Sequence, residues 1–177
     1  EPGGVVHRDV YVDSRGFATI GAGFKVDSQA SAILENMFTG LDDSQRVAAA
    51  TAIVNATRNI NFGTGATGAQ AALNAINTAL RNATGNPALN FSYADDAQIE
   101  ATFNNIVANI EVQVDRWFGP TNGPIPESRE RLALLSLAYN KLLYVGESER
   151  LRQALLNGDR AEAWYQIRYE SNGGSSA

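Results

Sequence analysis

The stretch Asp9–Phe24, DVYVDSRGFATIGAGF, decides how the chain is read. Val10 and Val12 alternate with Tyr11 and Asp13, Ser14-Arg15-Gly16 supplies turn chemistry, and Phe17-Ala18-Thr19-Ile20 resumes an extended pattern. A short hairpin is predicted. Gly21 and Gly23 follow it and mark where the backbone bends or lies close to something else. With the upstream residues included, four polar side chains stand out: Glu1, Asp9, Asp13 and Thr19. Asp13 stands just before the turn, and Thr19 lies on the returning strand, where it can face Asp13. Asp9 reads as a solvated strand-edge residue.

Beyond Asp27 the texture becomes helical. Residues 27–38 carry Ile33, Leu34, Met37 and Phe38 at helical spacing. Residues 42–60 form a second candidate helix with an acidic start that suits the helix dipole. Residues 64–84 form a third, stopped by Thr84-Gly85-Asn86-Pro87. Residues 95–118 hold the longest apolar stripe: Ile99, Phe103, Ile106, Val107, Ile110, Val114 and Trp117. Three prolines within 119–126 break it. A helix from Pro126 to Leu143 has a densely apolar middle and is expected to be the central buried one. Two short helices close the chain, the first ended by Gly158 and the second capped by Asp159. Trp117 and Trp164 are expected in the core. The fold class is therefore α+β, mainly α: a small hairpin-containing lobe over about residues 1–60, a helical lobe over about 61–170, and a flexible Gly/Ser tail at 171–177. The abrupt Glu1 and this tail suggest a single domain taken from a longer protein.

Composition narrows the function classes. A net charge of −5 with scattered Lys and Arg argues against a nucleic-acid partner. The chain has no cysteine and one histidine, His7, so thiol chemistry and His- or Cys-rich metal sites drop out. No metal and no cofactor is expected. No segment approaches the run of about 20 apolar residues that a membrane span needs.

The pattern Tyr-x-Asp-x-x-Gly-x-x-Thr-Ile-Gly-x-Gly is met by Tyr11, Asp13, Gly16, Thr19, Ile20, Gly21 and Gly23. It resembles the active-site hairpin of phage-type lysozymes, muramidases of the endolysin kind. Leu132–Asn140, LALLSLAYN, is similar to a later helix of the same family. Leu155–Asn172, LLNGDRAEAWYQIRYESN, resembles the final helices of pesticin-like bacteriocins and secreted antibacterial effectors. Residues 27–125 match only in helical character. The resemblance implies a lysozyme-like fold with a cleft between lobes, and a monomer. It also implies hydrolysis of the bond between N-acetylmuramic acid and N-acetylglucosamine in peptidoglycan.

Glu1 would be the general acid, with Asp13 and Thr19 positioning the attacking water. Glu1 is followed by Pro2 rather than directly by glycine, and its interval to Asp13 is longer by a few residues; a longer loop over Gly3–Arg8 absorbs this. An acid upstream of residue 1 is the alternative. Inversion of configuration, also implied, asks for carboxyl groups roughly 6.5–9.5 Å apart. Gly21, Gly23, Phe24, Tyr139, Asn140 and Arg168 are candidate substrate-binding residues; Arg168 either pairs with Glu1 or covers the surface. The action would fall on the bacterial periplasm or cell wall, with a cognate immunity protein as a further partner of a toxin or effector. Two other readings stand beside this one: a lytic transglycosylase, and a non-catalytic peptidoglycan-binding module of a phage tail or secretion spike.

Overall fold

The computed structural model describes residues 6–119, 128–139 and 149–170. The chain divides into two compact units, Glu1–Ile106 and Val107–Ala177. The division lies well past residue 60, where the small lobe was expected to end. The reason is the third helix, which packs on the second helix and on the first strand and so belongs with the sheet.

The first unit opens with a three-stranded antiparallel sheet, β1 (His7–Val12), β2 (Ala18–Gly21) and β3 (Phe24–Lys25), in that spatial order. Tyr11 pairs with Thr19 and Val12 with Ala18, while Thr19 pairs on its other side with Lys25. All four residues of β2 are buried, as suits the middle strand. The chain passes from β3 straight into α1 (Val26–Met37), which buries Val26, Ala30, Ile33, Leu34 and Met37. Helix α2 (Asp43–Thr57) starts with a capping box: Asp42 accepts from the Gln45 N–H and the Gln45 side chain accepts from the Asp42 N–H.

Helix α3 (Gly65–Thr84) turns Gly68, Ala72, Ile76 and Leu80 inward at i, i+4 spacing and ends at Gly85 in the left-handed conformation. The core gathers Ile20, Phe24, Ile33, Leu34, Ile53, Ile76, Leu80 and Phe91, each without exposed surface. Residues 90–96 return to β1. The Tyr93 N–H donates to the Arg8 carbonyl, the Ser92 hydroxyl donates to Asp9, and Arg8 pairs with Asp96.

Helix α4 (Asp96–Phe118) buries Ile99, Thr102, Ile106, Ile110 and Val114. Its true stripe therefore passes through Thr102 and leaves Phe103 exposed, against the expected pattern. Thr102 is taken inside because its hydroxyl accepts from the Tyr93 phenol and donates to the Gln98 carbonyl.

In the second unit, α5 (Arg129–Tyr139) buries Arg131, Leu134 and Leu137. Leu132 is 68% exposed, so among the described residues α5 presents one buried stripe and is not a central helix. Arg131 enters the interior because Asp115 (2.7 Å) and Glu111 (3.9 Å) neutralise it. Helix α6 (Glu149–Leu156) ends at Gly158, and Asp159 caps α7 (Arg160–Tyr165) by accepting from the Glu162 N–H. A π-helical turn, Gln166–Glu170, follows directly.

Candidate active site

The hairpin turn is built around Asp13. The Asp13 N–H donates to the Phe17 carbonyl and the Gly16 N–H donates to the Asp13 carbonyl, enclosing Ser14-Arg15-Gly16. Gly16 takes φ +82°, the left-handed position that a three-residue hairpin loop requires. One carboxylate oxygen of Asp13, Oδ1, accepts from both the Arg15 and Phe17 N–H groups at 2.9 Å. Its other oxygen, Oδ2, has no hydrogen-bond partner among the described residues, and the side chain is half-buried. Asp13 therefore offers a fixed carboxylate with one oxygen committed to the turn.

Thr19 faces Tyr11 across the β1–β2 pair rather than Asp13. The register fixes this: Asp13 lies two residues further along than Tyr11, on the same face but beyond the paired position. Thr19 is 4% exposed and its hydroxyl donates to the Phe17 carbonyl at 3.1 Å. On its other side stands Lys25. The Lys25 ammonium lies 4.3 Å from the centre of the Phe17 ring and 3.1 Å from Asp27 Oδ2. The remaining oxygen of Asp27 is buried with no hydrogen-bond partner among the described residues. Sequence reasoning missed Lys25 and Asp27 because it ended the hairpin at two strands; a third strand at Phe24–Lys25 would have placed Lys25 beside Thr19.

The glycines divide in their roles. A Cβ on Gly21 (φ +65°) would lie 2.6 Å from the Phe24 ring and 3.3 Å from Ile99, so this glycine makes room for the core. Gly23 (φ +95°) has nothing within 4 Å of that position and is open to solvent. Phe24 is fully buried, which corrects its expected place on a sugar groove: its ring belongs to the core between sheet and helices.

A loop after α2 clasps the turn. The Asn61 side-chain amide donates to the Arg15 carbonyl (2.9 Å), the Phe62 N–H donates to the Gly16 carbonyl (2.9 Å), and Asn61 Oδ1 accepts from the Gly63 N–H (2.8 Å).

The other candidates belong to the second unit or lie outside the described residues. Tyr139 is half-buried at the end of α5, and burial pushes its phenol pKa up. Arg168 is exposed, with its guanidinium 5.2 Å from the Trp164 ring centre and 5.6 Å from that of Tyr169. Glu1 and Asn140, and with Glu1 the expected Glu1–Arg168 pair, lie outside the described residues. Trp164, expected in the core, is 54% exposed because it lies off the short stripe that α7 buries through Ala163. Among the described residues no three His, Cys, Asp or Glu side chains gather as a metal site, and no helix is long and apolar enough to cross a membrane.

No family model, no curated protein and no solved structure matches the chain.

Proposed function

We propose that the chain is a peptidoglycan muramidase, acting as an antibacterial toxin, effector or endolysin domain on the bacterial cell wall. The observation that supports it is local. Gly16, Gly21 and Gly23, the three glycines of the lysozyme-like pattern, all take positive φ, at 82°, 65° and 95°. Asp13 closes the turn and Thr19 lies in the returning strand. The motif's spacing is thus matched by backbone conformations that demand those residue types.

In this reading Glu1 gives its proton to the glycosidic oxygen as the bond to the anomeric carbon breaks. A water adds to that carbon from the opposite face and passes a proton to Asp13. Asp13 Oδ1 is held by two N–H groups, so Oδ2 is the atom left for the water. Thr19 shares in orienting that water. Tyr139, Asn140 and Arg168 contact the glycan, and an immunity protein is the natural antagonist.

The test is digestion of purified cell walls by the wild type beside Asp13→Asn and Glu1→Gln, with mass analysis of the fragments. Loss of digestion in both variants, with reducing ends in the wild-type products, supports the hydrolase. Anhydro ends in place of reducing ends assign a lytic transglycosylase. Full activity in Glu1→Gln assigns the acid to another residue.

One observation favours a second reading, a wall-binding module without catalysis. The Thr19 hydroxyl is buried against the Phe17 carbonyl, and Asp13 Oδ1 is committed to the turn, so both side chains have structural roles of their own. Wall binding without digestion, unchanged in Asp13→Asn, is the signature of that reading.

A further inference from the structure

The last helical segment carries an exposed aromatic strip. Trp164, Tyr165 and Tyr169 are 54%, 46% and 52% exposed. They are nevertheless held against one another: Trp164 meets Tyr169 edge-on at 5.9 Å, and Tyr165 lies 5.2 Å from Tyr169 with the planes tilted by 41°. The backbone brings this about. Residues five apart diverge on an α-helix, whereas the wider π-helical turn at Gln166–Glu170 carries Tyr169 round to the side of Trp164. The Arg168 guanidinium lies over both rings, and among the described residues it has no carboxylate partner. In a chain of net charge −5, this is a cation and three rings directed at solvent.

We infer that Trp164, Arg168 and Tyr169 form a binding platform for the glycan strand of peptidoglycan, a choice of ligand that rests on the muramidase reading. Aromatic faces stack on the apolar C–H faces of pyranose rings, and the ring-to-ring contacts fix those faces before binding, so little ordering entropy is lost. The stacked guanidinium presents its N–H edge to the carboxylates of the peptide stems attached along a peptidoglycan strand. The strip is one helix wide and drawn from residues 164–169, with charged Arg160 and Glu162 on the preceding turn. A protein partner needs a broad patch of about 800 Å² per side, whereas a linear polymer needs only a strip.

Co-sedimentation with insoluble peptidoglycan on ice tests this, beside binding of a neutral β-1,4-linked N-acetylglucosamine hexamer. Circular dichroism verifies the helix content of each variant. Trp164→Ala is expected to weaken both interactions about tenfold, and Trp164→Phe to retain most of both. Arg168→Gln is expected to weaken peptidoglycan binding about three- to tenfold and hexamer binding less than about twofold. Trp164→Ala sedimenting like the wild type overturns the platform and gives the rings to a protein surface. If walls are still digested in that case, the muramidase reading survives alone. Loss of sedimentation in Trp164→Ala, with no digestion by the wild type, keeps the platform and discards the muramidase. A wild type that does not sediment overturns the platform outright.

Discussion

Asn61 Oδ1 occupies the space in which a side chain on Gly16 would sit, 2.3 Å from the position of a Cβ there. Gly16→Ala therefore meets two penalties: the left-handed φ, and displacement of an Asn61 that makes two hydrogen bonds to the turn and its own loop. A loss of about 2–3 kcal/mol in urea unfolding is expected. The double variant Gly16→Ala with Asn61→Gly should remove the clash and leave only the backbone strain. Equal destabilisation by Gly16→Ala with and without the Asn61→Gly substitution would refute the contact.

Asp13→Asn and Asp13→Ala separate charge from architecture. Asparagine keeps an Oδ1 to accept the Arg15 and Phe17 N–H groups, so stability should change by less than about 0.5 kcal/mol while wall digestion is lost. Alanine removes both bonds and should lower stability by about 1–2 kcal/mol as well. Thermal unfolding and turbidity clearance, measured on the same preparations, distinguish the two.

Thr19→Val should fold nearly as well as the wild type, because the Phe17 carbonyl keeps the Asp13 N–H as a donor. A stability loss of about 1 kcal/mol or less is expected. A fall in wall digestion of about tenfold or more accompanies it if the hydroxyl orients water. Undiminished digestion removes Thr19 from the mechanism.

Gly21→Ala and Gly23→Ala share a positive φ but not a neighbourhood. A methyl group on Gly21 presses on the buried Phe24 ring, and about 3 kcal/mol or more of stability should go. On Gly23 it meets nothing, and about 1 kcal/mol of strain is all that is expected. Denaturant midpoints that fall together would contradict this difference.

Alkaline stability should depend on Tyr93. Burial favours its neutral phenol and raises its pKa from 10.0 to about 12. The unfolded chain gives up this proton first, so the contribution is complete below pH 10 and is lost as pH rises through about 12. Tyr93→Phe should flatten the decline in thermal midpoint across that window. A decline of unchanged steepness would assign it to other groups.

The sequence revealed features set by neighbours along the chain. The hairpin turn at Ser14-Arg15-Gly16, the helix stop at Gly85, the Gly158 terminus and the Asp159 cap all follow from one residue's backbone preference or one short side chain. Features set by distant packing escaped. Helix α3 belongs with the sheet because of what it touches. Phe103 is exposed because Thr102 finds the Tyr93 phenol as partner. Trp164 is exposed although its size suggested the core. At the site, Asp13 lies at the start of the turn and Thr19 on the returning strand, as their spacing predicted. Their relation was misjudged because register depends on the loop that Gly16 closes, which pairs Thr19 with Tyr11.

The clasp from Asn61 and Phe62 changes where the protein tolerates added sequence. A hairpin tip is ordinarily a good place to graft a peptide or tag. Here Gly16 is buried, its carbonyl accepts from Phe62, and the Arg15 carbonyl is bonded to a residue 46 positions along the chain. An insertion at this tip would part the hairpin from the loop that follows α2. The turns at Gly85 and Gly158, with nothing within 4 Å of a Cβ at either, are the natural grafting points.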